Sequence, residues 1–163
     1  MQFADEEPAS PIPLDQRPSR PWCVLMVDDD AEVHTVSRLA LRGFEFQGRG
    51  LEMLSAISAQ QARTIFESRD DIALALIDVV METEHAGLDL VNYIRNTLGN
   101  HRTRLVLRTG QPGMAPEDRI IREYDVDDYK EKTELTIQKL RTLFYGKLRA
   151  YRDLCALEPQ TAR

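Results

Sequence analysis

Three aspartates, a threonine and a lysine are the residues of this sequence whose types and spacing could do chemistry. Asp28 and Asp29 close the apolar run from Cys23 to Val27, Asp78 closes the run from Ile72 to Ile77, Thr109 follows Leu105 to Leu107, and Lys132 comes after Tyr129. Three carboxylates drawn into one crevice repel one another, which raises the pKa of at least one and weakens it as a nucleophile. A divalent cation removes that repulsion, and an all-oxygen set of a few carboxylates and waters suits Mg²⁺ better than zinc or copper. Mg²⁺ held in this way leaves positions for phosphate oxygens, and a carboxylate beside it can attack phosphorus and become an aspartyl phosphate. Lys132 would supply a point charge, and the Thr109 hydroxyl a hydrogen bond, to two phosphoryl oxygens. The chain contains no GxxxxGK[ST] loop, so the phosphoryl group must come from elsewhere than a nucleotide held here.

The five residues span more than 100 positions, so the fold must gather them. A short apolar run without alternation is the pattern of a strand buried on both faces, as in Cys23–Val27, Ile72–Ile77 and Leu105–Leu107. A second strand is predicted near Leu51 to Ser58 and a weak fifth around Val126 to Tyr129. Between them lie helical patterns: Val33, Val36, Leu39 and Ala40 behind a cap at Asp30; Ala62, Ile65 and Phe66; Leu90, Val91, Ile94 and Leu98 ended by Gly99; and Ile120 with Ile121 after Pro116. Five β/α units with apolar strands predict a parallel sheet with helices on both faces and right-handed crossovers. In such a sheet the functional crevice lies at the carboxyl ends of the strands, where all five residues fall.

The rest of the chain sets bounds. At 163 residues it is one domain with spare length, 42% hydrophobic and 29% charged, and its net charge of −6 argues against a broad nucleic-acid footprint. Five of its eight prolines (Pro8, Pro11, Pro13, Pro18, Pro21) lie in the first 21 positions, so residues 1–20 read as a disordered tail. Asp5, Glu6 and Glu7 stand where a secretory leader needs an apolar core, no run approaches a membrane span, and the cytoplasm is the expected location. Cys23 and Cys155 have no CxxC partner and read as ordinary thiols.

Val24–Asp29 (VLMVDD), Asp78 in LALIDVVM, Thr109 in LVLRTG and Lys132 in DDYKEK together resemble the signature of response-regulator receiver domains, over Pro21 to the mid-140s. The resemblance implies a flavodoxin-like, five-stranded doubly wound parallel sheet in the order 2-1-3-4-5. It makes Asp78 the phosphoacceptor, Asp28 and Asp29 the acidic pair that binds Mg²⁺ with Asp78 and the main-chain carbonyl of Val80, Thr109 and Lys132 the phosphoryl-sensing pair, and Tyr129 the aromatic switch that turns inward on phosphorylation. The implied partners are a sensor histidine kinase or phosphotransfer protein, a second copy through the fourth helix, fifth strand and fifth helix, and a C-terminal output domain. No contact with nucleic acid or membrane is implied, and no enzymatic activity beyond gain and loss of the phosphoryl group. The run TGQPG followed by DDYKEKTELT further resembles receivers of larger regulators whose output domains make or break cyclic dinucleotides.

Some residues depart from the family pattern. Lys132-Thr133 stands where Lys-Pro is usual, Glu82 where Pro is usual, and Lys130 rivals Lys132 for the phosphate. Glu82, Glu84 and His85 read as a solvated loop, and His34 and His101 are given no role. An aspartyl-nucleophile phosphohydrolase is the enzyme alternative, although its second acid would fall on Val80; a receiver-like module that is never phosphorylated is another. Ile137, Leu140, Phe144, Leu148, Tyr151 and Cys155 mark a last helix, longer than one sheet-packing helix needs. Residues 146–163 are either its frayed end and tail or a connection beyond the 21–145 receiver, with Lys139, Arg141, Lys147, Arg149 and Arg152 as solvated flank charges.

Overall fold

The computed structural model describes residues 20–110 and 117–157. The proline-rich tail up to residue 19, the Gln111-Pro112-Gly113 turn and Pro116 lie outside the described residues.

Two runs of apolar residues form the middle of a five-stranded sheet: β1 (Trp22–Val27) and β3 (Ile72–Asp78) are buried along their whole length. With β2 (Leu51–Ala56), β4 (Arg104–Thr109) and β5 (Asp128–Glu131) they pair parallel in the order β2-β1-β3-β4-β5, the flavodoxin-like arrangement. Strand order reverses between β1 and β3, which opens a crevice above their carboxyl ends.

Helices α2 (Ala59–Ser68), α3 (Ala86–Asn92) and α4 (Glu117–Glu123) follow β2, β3 and β4, and Phe66, Leu90, Val91 and Ile120 from them pack with Leu25, Ile77 and Leu107. The other layer buries Val24, Leu76 and Val106 beneath α1 (Ala31–Ala40) and α5 (Ile137–Leu157), which contributes Leu140, Phe144 and Leu148. Phe144 is fully enclosed, and truncating it to Ala would cost about 3–5 kcal/mol.

Several expected boundaries move. The buried face of α1 is His34, Ser37 and Ala40, whereas Val36 and Leu39 are 55% and 57% exposed. A polar residue can point inward here because His34 Nε2 donates to the Asp28 carbonyl at 2.7 Å, so His34 holds the end of β1 rather than being idle. β2 stops at Ala56 and leaves Ser58 to cap α2 by accepting from the Gln61 amide. α3 continues as a π-helical turn, Tyr93–Thr97, which leaves Leu98 partly exposed and carries Arg95 inside. β5 begins at Asp128, with Val126 buried in the turn before it; an edge strand tolerates Lys130 and Glu131.

α5 runs unbroken through Gly146 for 21 residues. Its stripe starts at Leu140, since Ile137 is 63% exposed, and it reaches as far as Tyr151, whose ring stands edge-on to Trp22 at 6.4 Å. Its basic flank is not simply solvated: Arg141 donates to the Ala40 and Arg42 carbonyls, Lys147 pairs with Asp128, and Arg149 and Arg152 lie over Phe46. Among the described residues no helix is long and apolar enough to cross a membrane.

Candidate functional site

The carboxyl ends of β1 and β3 bring Asp28, Asp29 and Asp78 together, with ligand oxygens all within 4.8 Å of one another. Asp28 and Asp78 are buried and Asp29 is exposed. Period-two alternation explains the placement: Asp28 continues the Val24–Met26 face of β1 and Asp78 the Leu74–Leu76 face of β3, so both carboxyls point toward the α1/α5 layer. One Asp28 oxygen accepts from the Asp30 amide at 2.9 Å, and Asp30 itself accepts from the Glu32 amide as the cap of α1.

Lys132 follows β5 at the start of a 3₁₀ turn fixed by a capping box between Glu131 and Glu134. Its ammonium lies 2.9 Å from Asp28 Oδ2 and 3.3 Å from Asp78 Oδ2. Lys130 instead pairs with Asp128, so Lys132 is the lysine at the site. Burial, reinforced by the Asp28 charge, pushes the Asp78 carboxyl up to about 6, against the Lys132 ammonium and the Val80 amide that donates to it. Lys132 is raised above its ordinary value: burial opposes the shift, but hydrogen bonding and charge from the two aspartates outweigh it. Val80, two residues after Asp78, thus contributes a backbone group where a phosphohydrolase needs a second carboxyl.

Thr109 ends β4 fully buried, and its side chain is hydrogen-bonded to the phenol of Tyr129. Tyr129 was expected to turn inward only on phosphorylation; in this structure it is already inward, at 5% exposure within the core. The α2–α3–α4 layer supplies the apolar slot that accepts the ring.

Sequence reasoning missed three features of the site. Arg108, one residue before Thr109, pairs in register with Asp78, is 5% exposed, and lines the same groove as Lys132. Burial lowers its pKa while the Asp28 and Asp78 charges hold it up. Alternation after Val106 was the signal that could have found it. Glu82 is no idle loop residue: its oxygens accept from the Ala59 and Gln60 amides at 3.0 and 3.2 Å, tying the loop after β3 to the start of α2. Burial alone would raise its carboxyl, but these backbone donors win and hold it low. Gly87 packs so closely that a Cβ there would lie 2.2 Å from the Asp78 carbonyl oxygen.

The donor set fits Mg²⁺: hard carboxylate oxygens, two of them buried, with Asp29 open to solvent for retained waters.

The chain has the fold of CheY-like response-regulator receiver domains. It matches the CheY-like receiver from Methanospirillum hungatei JF-1 with a TM-score of 0.65 at 20% identity, over 82% of this chain and 98% of that one. It matches the receiver domain from Clostridium thermocellum with a TM-score of 0.67 at 20% identity, over 81% and 98%. It also aligns with NtrX from Brucella abortus at a TM-score of 0.66 and 20% identity, over 84% of this chain but 29% of that longer one. No protein-family model matches the chain. At the sequence level it is 68% identical over 140 residues to 3'3'-cGAMP-specific phosphodiesterase 2 of Vibrio cholerae serotype O1, spanning 86% of this chain and 27% of that protein. This relative corrects the expectation of no enzymatic activity beyond gain and loss of the phosphoryl group: its name is that of an enzyme. That expectation rested on finding no catalytic motif within 163 residues, which says nothing of the activity of a longer protein of which they match about a quarter.

Proposed function

We propose that the chain is a phosphoacceptor module that takes a phosphoryl group from a protein phosphohistidine onto Asp78 and thereby regulates hydrolysis of a 3',3'-linked cyclic dinucleotide. The observation that carries this reading is the Lys132 ammonium set between Asp28 and Asp78 in a three-carboxylate cluster at the carboxyl ends of parallel strands. The kinship with a 3'3'-cGAMP-specific phosphodiesterase supports the regulated activity.

Asp28, Asp29, Asp78 and the Val80 main-chain carbonyl would hold Mg²⁺, which when bound offsets the charge on the phosphoryl oxygens. An Asp78 oxygen attacks phosphorus as the P–N bond of the donor breaks, and the departing imidazole takes up a proton. Lys132 pairs with one phosphoryl oxygen and the Thr109 hydroxyl donates to another. Because Thr109 already shares a hydrogen bond with buried Tyr129, drawing Thr109 toward phosphate alters the packing of Tyr129 and hence the face formed by α4, β5 and α5. That face would carry the signal to a second copy or to an output portion, with the distal part of α5 as the connection from the 21–145 unit. Exposed Val36 and Ile137 flank a groove of about 420 Å³ beside the site and suit an apolar helix of the donor protein. A cytoplasmic location follows from this reading.

Phosphoramidate, a small donor with a P–N bond, tests the chemistry. One phosphoryl group should load with Mg²⁺ present, and loading should fall at least tenfold with EDTA or in Lys132→Ala. Loading indifferent to both would overturn the proposal.

A further inference from the structure

Arg108 is a buried guanidinium that the phosphoryl-transfer chemistry does not use. It sits on β4 beneath the α1/α5 layer, where its neighbour Val106 is packed in core, and it is 95% shielded from water. Placing a cation there is costly unless negative charge answers it. Among the described residues no carboxylate comes within ion-pair distance of it, and the charges that act on it are Asp28 and Asp78. Strand register puts Arg108 beside Asp78, and the groove it lines also holds Lys132, with Asp30 and Glu32 at its rim.

Two cations therefore face the cluster, with different reach. Lys132 touches both buried aspartates and sits where a phosphoryl oxygen would take over its charge. Arg108, 5% exposed on β4, makes no such contact with either aspartate and, as a guanidinium, stays charged at physiological pH.

We propose that Arg108 is a resident counter-ion of the acidic cluster: it holds Asp28 and Asp78 together in the absence of metal and, by its positive charge, weakens Mg²⁺ binding there. It is a positioning residue and touches neither metal nor phosphate. The role rests on the Mg²⁺ reading above, and its consequence is regulatory. Mg²⁺ occupancy, and with it phosphoryl acceptance, is set to a higher metal concentration than three carboxylates would need alone.

Calorimetric titration of Mg²⁺ into the whole chain tests it, using wild type, Arg108→Met, Arg108→Gln and the charge-keeping Arg108→Lys. The Met and Gln variants should bind Mg²⁺ about threefold to tenfold more tightly, since a unit charge is removed from the edge of a low-dielectric site, and Lys should stay near wild type. Without metal, Met and Gln should melt below wild type, and saturating Mg²⁺ should raise their Tm by more than it raises the wild type's. A merely structural arginine would lower every melting temperature and leave the Mg²⁺ increment unchanged; that result, or equal or weaker Mg²⁺ binding by Met and Gln, overturns the role. Wild type binding Mg²⁺ with an unchanged affinity in the variants rejects the counter-ion alone, whereas no binding by any of the four proteins rejects the Mg²⁺ reading and the counter-ion with it.

Discussion

The two edges of this sheet use the same residue types to opposite ends. At the amino edge, Arg69 donates four hydrogen bonds of 2.8 to 3.1 Å to Glu52 and Asp71, and holds both carboxyls below the ordinary range. Beside it, Asp127 accepts from Arg95, Arg104 and the Leu105 amide, and ties β5 to β4 and α3. At the carboxyl edge three carboxylates share one crevice with Lys132 and Arg108, and Asp78 is pushed up instead. Matched charges staple the fold at one edge; an excess of negative charge at the other stores the electrostatic tension that a bound divalent cation would relieve.

The contrast can be broken at either edge. The largest effect is expected from Asp127→Ala, which leaves the Arg104 guanidinium without its carboxylate and buried Arg95 with only the more exposed Asp125 at 3.5 Å; denaturant unfolding should show a loss of about 3–5 kcal/mol. Next comes Asp78→Asn, with the opposite sign. The Asp78 pKa of about 6 lies above the ordinary carboxyl value, so its contribution to stability is present at low pH and disappears as pH rises through about 6. Metal-free Asp78→Asn should therefore be more stable than wild type at pH 7, by up to about 3 kcal/mol, with the gap closing near pH 4. A gain that persists at low pH would show that charge is not the cause.

Gly87→Ala sharpens the comparison by straining the site without changing its charge. The added methyl must push the start of α3 away from the Asp78 carbonyl, for a cost of about 1–3 kcal/mol and slower phosphoryl loading. Glu82→Gln keeps the shape and removes the charge at the α2 amides, so thermal unfolding should register a loss of about 0.5–1 kcal/mol while loading at Asp78 continues.

What could be read from the sequence follows the physics of burial. β1 and β3 are legible because strands covered on both faces must be apolar throughout, and the aspartates that interrupt them stand out by type. The edge strand β5 is mostly polar, and its boundaries shifted by two residues. The inward face of α1 escapes a hydropathy pattern because polar His34 and Ser37 are buried on it, His34 with its Nε2 donating to the Asp28 carbonyl. Arg108 escaped notice because a charged residue on a core strand makes sense only once Asp28 and Asp78 are seen beside it. Tyr129 was found by its position in the chain, but its inward rotamer depends on the Thr109 hydrogen bond, a tertiary contact.

Whether the crowded carboxyl edge makes Asp78 a phosphoacceptor can be read by weighing the intact protein after exposure to acetyl phosphate and Mg²⁺. The mass of one added phosphoryl group is expected on wild type and none on Asp78→Asn. No addition to wild type, or equal addition to both, would contradict that role.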